Sequence, residues 1–200
     1  MDPSAGIPVG DHAVLVEVDD AQAARSLAAW AREQAVRADE IVPAAATVLF
    51  DGVADRDHLA RVLAGWSPGT DPDPGDLVEL SVDYDGPDLG FVAERWGMTE
   101  AEAVEAHSGI EYVAAFCGFA PGFSYLAGLP DRLAVSRLDS PRSRVPAGAV
   151  GLAGSWCAVY PGESPGGWRL LGTTDAVLWD AAREEPALLA PGTRVRFVPR

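Results

Sequence analysis

Residues 145–160, VPAGAVGLAGSWCAVY, place two short apolar runs, 145–154 and 156–160, either side of a tight Gly-Ser junction. Short apolar runs bounded by glycine and proline read as strands joined by turns. The same pattern recurs at 112–119, 168–171, 177–179 and 194–198, the last alternating Val195 and Phe197 against Arg194 and Arg196. Repeated short strands of this kind predict a closed or nearly closed β-barrel beyond residue 111 rather than another helical layer.

Upstream the pattern differs. Residues 13–18 are apolar but for Glu17 and read as a strand. From Asp20 the period becomes helical: Ala24, Leu27, Ala28, Ala31 and Ala35 share one face, and Gln22, Arg25, Arg32, Glu33 and Arg37 the other, with Asp19 or Asp20 as the cap. Residues 41–50 return to strand-forming side chains, Asp51-Gly52 turns the chain, and residues 56–65 form a second helix. Residues 77–84 then alternate Val78, Leu80, Val82 and Tyr84 with Glu79, Ser81 and Asp83. With residues 41–50 interrupted at Pro43, the order is β-α-β-β-α-β or close to it, which predicts an α+β chain with a small ferredoxin-like sandwich over residues 1–86 and the barrel domain over residues 87–200. The loop 65–76, dense in Gly, Pro and Asp, is expected to be mobile and solvated. Residues 89–96 and 100–107 read as two further helices, the second opened by a Thr99/Glu102 capping box and closed at Gly109.

Composition removes several function classes. Apolar residues make up 48% and charged residues 22%, an ordinary globular mixture. The longest apolar stretches, residues 42–50 and Tyr112–Cys117, fall short of the roughly 20 residues a membrane helix needs, and no secretory signal is visible at the start, so a cytoplasmic protein is expected. A net charge of −15 repels a phosphate backbone and argues against nucleic acid or an anionic membrane as partner. Every basic residue is arginine, which excludes a Walker-type lysine, a Schiff base and a lysine nucleophile. Cys117 and Cys157 are expected to be reduced thiols.

Three motif matches fail on physical grounds. Gly65-Trp66-Ser67-Pro68-Gly69 fits the nucleophile-elbow pattern, yet a helix precedes it and Pro68 has no N–H for an oxyanion hole. Gly148, Gly151 and Gly154 lack the spacing of a dinucleotide fingerprint and are expected to mark bulges or close backbone packing. His12, His58 and His107 show no metal-ligand spacing, so no metal site is expected. His107 ends a capped helix, where the helix dipole favours its protonated form.

Candidate site residues lie in the second half. Arg132, Arg137, Arg142, Arg144 and Arg169 gather in a locally basic stretch, and guanidinium groups suit bidentate capture of carboxylate or phosphate. Three stretches, 118–129, 141–150 and 160–168, interleave glycine and proline with aromatics, as in the mouth of a barrel that walls a binding cleft.

These stretches resemble the family of the 5-oxoprolinase B subunit, also labelled KipI-like or allophanate hydrolase subunit 1, and the related C-D part of the urea carboxylase carboxyltransferase domain. The family pattern GFxPGFPYLxGL stands here as residues 118–129, with Ser124 for a proline. PRxxxPRxxVPAGSVGIAG stands as residues 136–154, keeping Arg137, Pro141, Arg142, Val145, Pro146, Ala147 and Gly148 but with Ser136 and Ala149 substituted. YPxxSPGGW matches residues 160–168 throughout. Two segments depart: Trp156-Cys157-Ala158 replaces the usual Gln-Thr-Gly, and Gly172-Thr173-Thr174-Asp175 replaces Gly-Arg/His-Thr-Pro.

The resemblance implies a cyclophilin-like form for the barrel, an obligate C-type partner corresponding to the A-B part of the carboxyltransferase domain, a separate A-type partner, and ATP-coupled hydrolysis of 5-oxo-L-proline to L-glutamate by the complex. On that basis Arg137, Arg142 and His107 are the candidates for holding or polarising an anionic group. Phe119, Pro121, Phe123, Tyr125, Pro146, Gly148, Tyr160, Ser164, Gly166, Gly167 and Trp168 are the candidates for forming the substrate cleft. The alternative functions implied are inhibition of a sensor histidine kinase and a part in urea or allophanate metabolism.

Overall fold

The computed structural model describes residues 6–69 and 75–200, and the chain divides into two compact units between residues 74 and 75. In the first, strands β1 (Ile7–Val9), β2 (Ala13–Glu17), β3 (Glu40–Pro43) and β4 (Thr47–Asp51) form an antiparallel sheet of order β1-β2-β4-β3. Helix α1 (Ala21–Glu33) starts where Asp20 Oδ1 accepts the Ala23 N–H at 2.8 Å, and it buries Ala24, Leu27, Ala28 and Ala31. Helix α2 (Arg56–Leu63) starts where Asp55 accepts the His58 N–H at 2.8 Å. Val14, Val16, Val48 and Phe50 from the sheet meet Leu27, Leu59, Leu63 and Trp66 in one core. The helix before Gly65–Gly69 stands as expected, whereas residues 70–74 of the loop expected to be mobile lie outside the described residues.

The second unit begins earlier than expected. Strand β5 (Leu77–Val82) does not complete the first sheet; it pairs in parallel with β13 (Arg194–Pro199), Leu77 opposite Arg194 through Val82 opposite Pro199. The boundary expected after residue 86 therefore falls before β5. Alternation marked the strand, but its partner is set by Leu80 and Val82 packing with Val195 and Phe197, a contact of long sequence separation. The place beside β2 is held by β1, so the first unit runs β-β-α-β-β-α.

The remaining strands are β6 (Tyr112–Cys117), β7 (Ser124–Ala127), β8 (Arg142–Val145), β9 (Ala149–Ala153), β10 (Trp156–Val159), β11 (Ser164–Gly166) and β12 (Arg169–Thr173). Seven strands make one sheet of order β12-β9-β10-β7-β6-β13-β5, with β11 and β8 as a separate two-stranded pair. The sheet comes round on itself: just past β5, Asp83 exchanges both backbone hydrogen bonds with Thr173 on β12, each at 2.9 Å. Gly172 permits this approach, since a Cβ there would strike the Asp83 carbonyl. Helices α3 (Leu89–Trp96) and α4 (Glu100–Ser108) pack on this sheet, and the Thr99/Glu102 capping box forms on both sides. Residues 177–179 do not form a barrel strand. Only Trp179 pairs, in a single bridge to Ala187, while Val177 and Trp179 stay exposed. No helix among the described residues is long and apolar enough to cross a membrane.

Candidate functional site

The β6–β7 connection folds back on itself through two backbone bonds, Phe123 N–H to Ala120 O at 2.9 Å and Gly118 N–H to Phe123 O at 3.1 Å. This turns Phe123 inward as the hub of an aromatic cluster. Its ring meets those of Phe119, Tyr125, Tyr160 and Trp168 edge to face, with centroids 5.1 to 5.6 Å apart. Behind Tyr125, Phe116 stacks at 4.4 Å and Trp156 closes the row. Gly166 on β11 lies against the Tyr160 ring with no room for a Cβ. The cluster leaves a small cavity of about 60 Å³ lined by Phe119, Phe123, Tyr125, Arg137, Tyr160, Pro165, Gly166 and Trp168.

Arg137 is the one charged side chain in that lining and has no hydrogen-bond or ion-pair partner among the described residues. Its backbone is pinned on both sides: Leu138 N–H donates to Gly167 O at 2.8 Å, and Arg169 Nε donates to Ser136 O at 3.1 Å. The neighbouring arginines are committed. Arg142 Nη2 donates to Asp88 Oδ2 at 2.8 Å, Arg169 approaches Asp88 Oδ1 at 3.6 Å, and Arg144 pairs with Glu163. Burial raises the Tyr160 phenol above its ordinary value, against the opposing pull of a backbone hydrogen bond at Trp168 and the positive charges of Arg137 and Arg142. An uncommitted guanidinium at the edge of aromatic walls is chemically suited to a small anion with a flat apolar body.

A roomier depression of about 510 Å³ lies on the first unit, lined by Arg37, Asp39, Asp55 and His58 among others. Asp55 is committed there as a helix cap, Asp39 is packed against Gly52, and none of the motif residues reaches it. Chemistry outweighs volume here, and the aromatic cavity is the better candidate.

The family model for the carboxyltransferase domain, subdomain C and D, matches residues 6–189. The chain belongs to that family. Over 148 residues it is 46% identical to the B subunit of 5-oxoprolinase from Escherichia coli O157:H7, covering 72% of this chain and 68% of that one. It is 35% identical to the B subunit of 5-oxoprolinase from Haemophilus influenzae, with 96% of each chain covered. The crystal structure of TTHA0988 superposes with a TM-score of 0.80 at 34% identity, covering 95% of this chain. This chain spans 40% of the length of TTHA0988.

Among carboxyltransferase subdomain C and D motif positions, the structure separates cavity residues from scaffold. Phe119, Phe123, Tyr125, Arg137, Tyr160, Gly166 and Trp168 come together. Pro121 and Pro146 are exposed elsewhere on the turns, and Gly148, at φ 79°, lies beneath the Thr174 carbonyl where a side chain has no space. Gly167 acts through its carbonyl, and the Ser164 hydroxyl is enclosed without a partner. Arg142 is a structural cross-link to Asp88.

His107 corrects the expectation most sharply. It is 0% exposed, inside the barrel, with Nδ1 2.7 Å from the Tyr84 hydroxyl and Nε2 3.5 Å from the Cys157 thiol. Desolvation lowers its pKa to about 3, so the ring is neutral and far from any solvent-borne anion. Burial likewise pushes the Cys157 thiol up, leaving it unreactive.

Asp88 went unnoticed in the sequence because an acid before a helix reads as an ordinary cap; its burial comes from two arginines and the Leu170 N–H, which it accepts at 2.7 Å. Pro165, also missed, stood in plain sight inside the matched 160–168 motif. Of the departures, Trp156 extends the aromatic row, Cys157 faces His107, Thr173 closes the barrel, and Asp175 pairs with Arg200.

Proposed function

We propose that this chain is the B-type subunit of an ATP-dependent 5-oxoprolinase, working with C-type and A-type partners to open 5-oxo-L-proline to L-glutamate. The observation that carries this reading is Arg137, an uncommitted guanidinium beside an aromatic cavity, in a chain 35% to 46% identical to proteins named as the B subunit of 5-oxoprolinase. A lactam carboxylate offers what such a site takes: a charged group for Arg137 and a flat amide ring for Tyr125, Tyr160 and Trp168. The barrel is read as cyclophilin-like, and the first unit as a ferredoxin-like variant in which β1 stands where the last strand would pair.

ATP does not fit this site. One free guanidinium beside about 60 Å³ of space cannot hold a triphosphate, and Arg142, Arg144 and Arg169 are already paired. Nucleotide chemistry is therefore assigned to a partner, and this chain is inactive alone. Free thiols at Cys117 and Cys157 accord with a cytoplasmic setting.

The test is reconstitution. The protein combined with its A-type and C-type partners is expected to release glutamate and ADP from 5-oxo-L-proline and ATP. A complex that assembles and releases neither would make the substrate assignment wrong.

A further inference from the structure

We infer that Phe119 is the binding residue that admits and then holds the ligand of this cavity, moving out of a strained turn to open it and closing its ring on the ligand's flat face. The inference rests on the proposed 5-oxoproline site. Phe119 has a φ of 70°, a region that bulky L-residues rarely occupy, and the Ala120 N–H closes a three-residue turn around it onto Gly118 O at 2.8 Å. Phe119 is 63% exposed, so core packing does not compel this conformation. Unfavourable backbone held at the rim of a cavity is the kind of outlier that points to function.

The remaining walls explain why something has to move. Free space of about 60 Å³ holds about four waters, whereas 5-oxoproline has nine non-hydrogen atoms. Phe123, Tyr160 and Trp168 are buried and interlocked edge to face, and Gly166 is pressed against Tyr160. None of these can yield without disturbing the core. Phe119 can: the backbone bonds that close its turn, Ala120 N–H to Gly118 O, Phe123 N–H to Ala120 O and Gly118 N–H to Phe123 O, use neither its own N–H nor its own carbonyl, and its ring touches the cluster through Phe123 at 5.2 Å. Closure over the flat amide face of the five-membered lactam gives ring contact that open-chain glutamate, free to rotate about its Cα–Cβ and Cβ–Cγ bonds, cannot match, so the same residue discriminates substrate from product.

The experiment uses the full chain labelled with 4-fluorophenylalanine, the Phe119 signal being assigned from its loss in Phe119→Leu. Fluorine NMR of the free protein is expected to show Phe119 exchanging between two environments, with 5-oxo-L-proline collapsing them into one. Calorimetry is expected to show Phe119→Leu binding 5-oxo-L-proline about tenfold more weakly than the parent with an unchanged Tm. A single unexchanging Phe119 environment, or a Leu variant that binds as tightly as the parent, would overturn the inference. Exchange in the free protein with no response to 5-oxo-L-proline would sustain the moving roof and overturn 5-oxoproline as the ligand, which separates the two failures.

Discussion

Arg137 and Arg142 lie five positions apart in one motif and carry the same charge, yet only one faces the cavity. Arg137→Ala is expected to raise KM for 5-oxo-L-proline in the reconstituted complex by roughly tenfold to a hundredfold, the worth of a charge-assisted hydrogen bond, with no change in Tm. Arg137→Lys restores part of this, because an ammonium lacks the two-pronged geometry. Removing Asp88, which Arg142 and Arg169 share, has the opposite signature: Asp88→Ala strands two partly buried guanidinium groups and the Leu170 N–H, and is expected to cost about 3 kcal/mol or more in urea unfolding. The motifs made it legible that these aromatics and arginines belong near one another. They did not reveal which arginine is paired, because the pairing acid sits 54 positions away from Arg142.

Elements with a local cause were legible. The Thr99/Glu102 box starts α4, Asp20 starts α1, and the Arg194–Pro199 alternation is a strand because each signal lies within a few neighbouring residues. Pairing across long separations was not legible, and β5 shows why: its alternation fits either unit, and only packing against β13 decides. Barrel closure at Asp83 and Thr173 is equally non-local, and it depends on two glycines. A Cβ at Gly172 meets the Asp83 carbonyl, and one at Gly86 meets the backbone of Leu170 and Leu171. Gly86→Ala and Gly172→Ala are each expected to destabilise the protein by about 2 kcal/mol or more, as overpacking against rigid backbone does. Hydrogen exchange should locate the damage, with the Asp83 and Thr173 amides losing protection first. Protection at those amides equal to the parent's would mean the sheet does not depend on this seam.

At the scale of the whole molecule, His107 makes folding respond to pH. In the unfolded chain its pKa is near the ordinary 6.5, and in the folded protein desolvation lowers it to about 3. Between these values the unfolded state binds a proton that the folded state refuses, so stability falls as pH falls. The contribution is complete above pH 6.5 and is withdrawn progressively down to about pH 3. Its slope approaches ~1.4 kcal/mol per pH unit, or about 2 kcal/mol between pH 7 and pH 5. His107→Gln keeps a side chain able to accept from Tyr84 but carries no titrating ring, so it should be less stable than the parent at pH 7.5 and lose ground more slowly on acidification. Urea unfolding of both proteins at half-unit steps from pH 7.5 to 5 measures this directly. Converging curves are the expected result, because the exposed acids titrate alike in both proteins and cancel in the difference. Parallel curves would mean that the ring takes up its proton inside the folded barrel, which requires water or a carboxylate to reach a position now enclosed by Tyr84, Tyr112, Cys157 and Phe197.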